Sequence, residues 1–266
     1  MHKLLRSLFR YVGNATPSGL PVPIASGPLR GYCWLSRAAG GAGGGLSVCA
    51  NLSEPSQLAA ARKLADRASI CFDVGANVGL YTLLFARYCR SVVAFEPLPR
   101  NLMWLYRALA HNHIQNATIV PCAVSDGMAL SAFQPGDNCG VGKLARDGTQ
   151  PVACVSLDEF CTRFSIWPSI IKIDVEGAEA AVLRGARQIL AEHGPSLLLS
   201  THGDAVKDEC LAYLAALEYR AEPLNAATVA DASEFCLKKM LPAGTPGSGC
   251  VRTASSEQAT ELAPIA

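Results

Sequence analysis

Apolar residues follow two alternating patterns along this chain. Five short runs are almost continuously apolar: Ser69 to Asp73, Val92 to Phe95, Ala117 to Ala123, Ser169 to Asp174 and Pro195 to Ser200. After the first comes a segment with Leu80, Leu83 and Leu84 at helical spacing. After the second, Leu98, Leu102, Leu105 and Leu109 share one helix face. The fourth run is followed by Val182, Leu183, Ala186, Ile189 and Leu190, the fifth by Val206, Cys210, Leu214 and Leu217. A strand without polar alternation is buried on both faces. Such strands alternating with amphipathic helices build a parallel sheet covered on both sides. The pattern therefore predicts a doubly wound α/β domain with a mostly parallel sheet.

The flanks read differently. Met1 to Val12 is a short basic amphipathic helix with Leu4, Leu5, Leu8 and Phe9 on one face, expected to pack on its own domain. A Pro/Gly-rich segment from Pro17 to Gly31, a strand-like stretch from Tyr32 to Arg37 and a glycine-rich tip from Ala38 to Gly45 suggest a hairpin cover. Residues 1–52 are thus expected to form a small N-terminal addition. Ser53-Glu54-Pro55 predicts a helix start, with Ser53 as cap, continued by Leu58, Ala61, Leu64, Ala65 and Ala68. Residues 53–241 then hold the main domain. Residues 242–266, rich in Pro, Gly, Ser, Thr and Ala, form an expected disordered tail. Asp126 to Phe164 reads as irregular, with Gly and Asp clustered from Pro135 to Gly148, and is expected to be a substrate loop or a hairpin excursion.

Composition narrows the function classes. Lys and Arg number 23 against 22 Asp and Glu, for a net charge of +1. A protein holding nucleic acid by its phosphates would carry a clear basic excess, so no nucleic-acid partner is expected. The 11 cysteines include no C-x-x-C pair, and several sit inside apolar runs. They read as small core residues in a reducing compartment, neither a disulfide framework nor a zinc site. No run is long enough to span a bilayer. Arg6 and Arg10 interrupt the N-terminal apolar stretch where a secretory signal would be uniformly apolar. The expected address is the cytoplasm.

In an open α/β sheet, ligands bind beyond the carboxyl ends of the strands. The first such turn, Phe72-Asp73-Val74-Gly75-Ala76-Asn77-Val78-Gly79, spaces its glycines G-x-x-x-G, unlike the G-x-G-x-x-G of dinucleotide enzymes. Gly75 and Gly79 let the main chain turn tightly against a ligand. Glu96 ends the second strand, where a carboxylate can accept from ribose hydroxyls. Ser125-Asp126 follows the third strand, where a side chain can meet an adenine amine. Together these positions describe an adenosine cradle. Lys172, Asp174 and Glu176 stand two residues apart at the tip of the fourth strand, which turns all three to one side. Thr201-His202-Gly203 follows the fifth strand and faces the same cleft.

The segments FDVGANVGLYT (72–82), AFEPLPRN (94–101), PCAVSD (121–126), SLDEF (156–160) and KIDVEGAEAAVLRGA (172–186), with Thr201-His202, resemble the FkbM family of S-adenosylmethionine (SAM)-dependent methyltransferases. D-V-G-A-N combined with a later K-x-D-x-E-G makes the resemblance specific. It implies a Rossmann-like class I methyltransferase fold with a seven-stranded sheet, SAM as cofactor, and a small-molecule hydroxyl acceptor. That acceptor would be a sugar or a glycosylated or polyketide metabolite. By matched position, Asp73, Gly75, Asn77 and Gly79 would line the methionine and ribose part of SAM. Glu96 would hold the ribose and Asp126 the adenine. Lys172, Asp174, Glu176 and His202 would form the acceptor end, with His202 the first choice of general base and Asp174 the second. Many relatives carry a glutamate two positions before the histidine; this chain has Ser200, so no role is carried over there. No metal is assigned, although Asp174, Glu176 and His202 are a set that can gather a divalent cation. Three other readings stay open: an inactive SAM-binding partner subunit, an RNA ribose 2′-O-methyltransferase, and an NAD-dependent oxidoreductase, the last disfavoured by the glycine spacing.

Overall fold

The structure is a computed structural model that describes residues 12–13, 15–39, 45–136 and 142–240. The basic helix expected before Val12 and the tail expected over 242–266 lie outside the described residues. The described chain opens on a hairpin in which β1 (Pro21–Pro23) pairs antiparallel with β2 (Cys33–Leu35). A 3-10 turn over Leu46–Ala50 leads to helix α1 (Pro55–Leu64). Strands β3 (Ile70–Val74) and β4 (Ser91–Phe95) alternate with α2 (Leu80–Tyr88) and α3 (Pro99–His111), and β5 (Ala117–Val120) follows. Four short strands come next: β6 (Ala123–Val124), β7 (Ala129–Gln134), β8 (Lys143–Leu144) and β9 (Gln150–Val155). They precede α4 (Leu157–Phe164), β10 (Ile170–Ile173) and the helix pair α5 (Glu179–Arg184) and α6 (Arg187–Glu192). β11 (Ser196–Ser200), α7 (Asp204–Ala216), β12 (Tyr219–Pro223) and β13 (Glu234–Lys239) complete the order.

The central sheet has seven strands in the order β12-β13-β11-β10-β3-β4-β5, and only β13 runs against its neighbours. This is the doubly wound, mostly parallel sheet expected from the alternating pattern. Successive residues of each strand face opposite sides. Cys71, Val92, Ala94 and Leu198 pack with Leu58, Leu84 and Leu105 and with the hairpin residues Ile24, Trp34 and Leu35. Phe72, Val93, Ile171, Ile173 and Leu199 pack on the other face with Leu157, Leu183, Ile189 and Leu214. Asp73 and Lys172 are flanked along their strands by residues of the second set, so both point to the hairpin's side. The winding direction reverses between β3 and β10. Ligands bind at such a switch point, and Gly75 and Asp174 stand just past the ends of these two strands.

The structure corrects several expectations. The third apolar run is not one strand: β5 stops at Val120, and Ala123–Val124 pairs instead with β9 in a separate four-stranded sheet. Pro121, which has no N–H for the ladder, marks the break. The region read as irregular takes the hairpin form and is largely regular: β7 pairs antiparallel with β8 and β9, and α4 follows. Ser53 does not cap α1; its hydroxyl pairs with that of Ser47, and Glu54 takes the cap position in a left-handed conformation with φ 47°. The helix ends before Ala68, where Asp66 Oδ1 accepts from the backbone N–H of Ala68 and Ser69.

The single helix expected through Leu190 is two. A Cβ on Gly185 would lie 2.1 Å from the Ser125 carbonyl oxygen, so the helix pair presses directly on the strand-three loop. Asp158 then caps the second helix, accepting from Gln188 N at 2.8 Å and Ile189 N at 3.0 Å. Asp158→Ala is expected to cost about 1 kcal/mol in urea denaturation, the usual loss of an N-cap. Nine cysteines lie among the described residues, all free, eight buried and Cys33 half-buried.

Candidate active site

β3 and β10 pair in register with Lys172 opposite Asp73. Lys172 Nζ lies 3.4 Å from Asp73 Oδ1 and 3.7 Å from Asp174 Oδ2, and donates to the Gly75 carbonyl at 2.7 Å. Thr82, from the first turn of α2, donates to Asp73 Oδ2 at 2.6 Å. Asp73 is 0% and Lys172 5% exposed. Burial works against the charge on Lys172, but Asp73, Asp174 and Glu54 outweigh it and its pKa is raised. The strand tips are also locked sterically. Gly75 has φ +75°, and a Cβ there would lie 1.9 Å from the Asp174 carbonyl oxygen.

A first cleft opens over the ends of β3, β4 and β10 and encloses about 610 Å³ out to open solvent. Gly75, Asn77, Glu96, Asp174 and Glu176 supply its polar side, and Cys122, Ala123, Val124 and Phe133 form an apolar wall. Glu96 is buried. Its Oε2 accepts from Asn77 N at 2.8 Å, and its Oε1 accepts from Leu98 N at 3.0 Å and the Asn101 amide at 3.1 Å. Burial pushes the Glu96 pKa up, against the pull of those three donors. A carboxylate has about four acceptor positions, so capacity remains for one more donor. Asn77 sits at φ 52° with its Oδ1 buried and unpartnered. An orphaned acceptor, a buried carboxylate and an apolar wall together suit a nucleoside.

Three of the predicted cofactor residues, Gly75, Asn77 and Glu96, line this cleft. Asp73 stands behind it, engaged with Lys172 and Thr82, and Gly79 starts α2 at φ +101°. Asp126 lies outside the lining; it is exposed and 3.8 Å from Arg184 Nη2. Cys122 to Val124 still line the cleft, and the chain leaves it only after β6, where Asp126 turns to Arg184 on the helix pair.

A second cavity, about 700 Å³ out to open solvent, lies on the hairpin's side and is lined by Trp34, Ser47, Glu54, Tyr81, Lys172 and Asp174 among others. Tyr81 donates to Glu54 Oε2 at 2.7 Å. Among the described residues, the two cavities have only Asn77 and Asp174 in common.

His202 lines neither cavity. Its Nε2 lies 3.7 Å from Asp174 Oδ1 and 3.5 Å from Glu176 Oε2, and its Nδ1 is 2.7 Å from Glu179 Oε1. The hydrogen bond to Glu179, with help from Glu176 and Asp174, outweighs partial burial and pushes the His202 pKa up to about 9. The imidazole therefore carries a proton at neutral pH. Asp174, Glu176 and His202 bring donor atoms within 4.8 Å of one another, near enough to share one divalent ion.

Sequence reasoning gave no role to Glu179, which is 0% exposed and orients His202. A polar residue at a helix start looks like an ordinary first-turn acid. It also missed Glu234, on β13, which pairs in register with Ser200 and accepts its hydroxyl at 2.7 Å. No sequence signal connects two residues that meet only through sheet pairing.

A seven-stranded sheet with one reversed strand, a cleft at the switch point and a buried acid ending the second parallel strand define a Rossmann-like protein of the class I methyltransferase type. The methyltransferase FkbM domain family matches residues 73–221, and the chain belongs to that family. It is 27% identical over 131 residues to the hexuronic acid methyltransferase AglP of Haloferax volcanii, a match covering 47% of this chain and 53% of that protein. The chain thus spans about half the length of this relative. Among solved structures, methyltransferase FkbM from Methylobacillus flagellatus aligns with TM-score 0.47 and 21% identity, over 64% of this chain and 43% of that one. An rRNA methylase from Streptococcus thermophilus aligns with TM-score 0.45 and 18% identity, over 71% of this chain and 95% of that one.

Proposed function

We propose that this protein transfers a methyl group from SAM to a hydroxyl oxygen of a small molecule, a sugar or a glycosylated or polyketide metabolite. The junction carries the reading. Two cavities that, among the described residues, share only Asn77 and Asp174 let a donor on one side meet an acceptor on the other beside one carboxylate. Family membership supports methyl transfer, and the activity named for the archaeal relative supports a sugar acceptor.

In the first cleft, Glu96 and Asn77 Oδ1 would accept from the ribose and methionine parts of SAM, and Cys122 to Val124 with Phe133 would face its adenine. When bound, SAM supplies a methyl group already activated by its sulfonium charge. The chain has to hold the acceptor oxygen and receive its proton. Asp174 stands at the junction and takes that proton. His202, already protonated and outside both cavities, positions Asp174 and Glu176. This reverses the order of preference read from the sequence. Asp126, paired with Arg184, has no ligand role in this reading.

The test is calorimetric binding of S-adenosylhomocysteine (SAH) to the wild type and to Glu96→Ala. Micromolar binding is expected, weakened on the order of tenfold or more, as suits the loss of a charged hydrogen bond. No binding to the folded wild type would falsify the reading. Because His202 Nε2 lies 3.7 Å from Asp174 and 3.5 Å from Glu176 and can itself pair with both carboxylates, turnover is expected to persist in EDTA. Its loss, restored by a divalent cation, would assign a metal to these three residues.

A further inference from the structure

We infer that the second cavity selects an acceptor carrying an amine beside its hydroxyls, an amino sugar, and disfavours a sugar acid. The inference rests on the proposed methyl transfer at Asp174.

Charge around the cavity is lopsided. Glu54 and Asp174 line it, and among the described lining residues Lys172 is the sole cation. That cation is committed already: it faces Asp73 at 3.4 Å and Asp174 at 3.7 Å and donates to the Gly75 carbonyl. The other nearby cation, His202, is enclosed by Asp174, Glu176 and Glu179 and lines neither cavity. Glu234 also feels both Asp174 and Glu54, and it is part-ionised at neutral pH. Burial first, and then those two neighbours, push its carboxyl up to about 7. Glu54, Asp174 and the buried Asp73 against Lys172 leave the cavity net negative even after SAM contributes its one net positive charge. A carboxylate entering here would be desolvated beside Glu54 and Asp174 with no free cation among the described lining residues to pair it, whereas an ammonium would find partners.

The cavity also offers groups that read a hydroxylated ring. Trp34 is 2% exposed, and its indole N–H has no hydrogen-bond partner among the described residues. A buried N–H in a cavity wall calls for an acceptor, which a ring or hydroxyl oxygen supplies. Glu54 stands at the cap of α1 yet makes no capping bond, and its Oε2 is turned to Tyr81 instead. Its other oxygen is left for the ligand's amine.

The experiment titrates the full chain, saturated with SAH, with glucosamine and separately with glucuronate, by calorimetry at neutral pH. The same titrations are repeated on Glu54→Gln, which keeps an acceptor for Tyr81 and removes the charge. Glucosamine is expected to saturate and to bind at least about tenfold tighter than glucuronate. Glu54→Gln is expected to erase most of that preference while leaving SAH affinity unchanged. Equal binding, tighter binding of glucuronate, no saturation by glucosamine at millimolar concentration, or a preference that survives Glu54→Gln would each overturn the inference. Failure of SAH to bind overturns the methyl-transfer reading beneath it, which separates the two.

Discussion

Lys172→Met is expected to lower the unfolding free energy by about 3–5 kcal/mol, the cost of stranding a buried charge without its partner. Asp73 is fully buried and keeps only the Thr82 hydroxyl once the ammonium is gone. The pair sits at the centre of the sheet, on the two strands whose ends make the cleft, so no local fraying can bring water to Asp73. In urea, the midpoint should fall with the slope unchanged, because the surface exposed on unfolding is the same. Adding Asp73→Asn to Lys172→Met should recover much of the loss, since neither charge is then buried. A loss below about 1 kcal/mol would place the pair in the class of solvated surface bridges.

The second large effect is on chemistry. Asp174→Asn is expected to lower kcat on the order of 10²–10⁴-fold with any acceptor the wild type methylates, the usual contribution of a general base. SAH affinity should stay within a few fold, because the amide keeps the shape of the cleft wall. His202→Asn should cost far less, as it lines neither cavity. A single-turnover comparison of the two variants decides between them. A larger loss in His202→Asn would return the base role to the histidine.

The parallel core was legible because both faces of its strands are buried, leaving unbroken apolar runs such as Ile170–Ile173. The charged strand tips were legible for the same reason: Lys172 and Asp174 stand out against that background. The second sheet was not. β7 has exposed residues such as Leu130 and one buried residue, Phe133, so it carries little periodic signal. That Gly75, Asn77 and Glu96 stand at the cleft was legible from turn chemistry, while the place of Asp126 depended on the turn after β6, which faces it to Arg184. The second cavity was out of reach of local pattern. Trp34, Glu54, Tyr81 and Lys172 come together from the hairpin, the start of α1, α2 and β10.

The buried thiols give this chain a clock for its own opening. Burial pushes Cys49 up to about 11 and Cys122, Cys161 and Cys210 up to about 12. Only the thiolate alkylates quickly, so reaction at Cys49, Cys161 and Cys210 waits for the surrounding structure to part, and at Cys122 for the thiol to ionise in the cleft wall. Cys49 reports from beneath the hairpin, Cys122 from the apolar wall of the first cleft, Cys161 from α4 and Cys210 from α7. Following alkylation peptide by peptide would time how often each region breathes, without a single engineered probe.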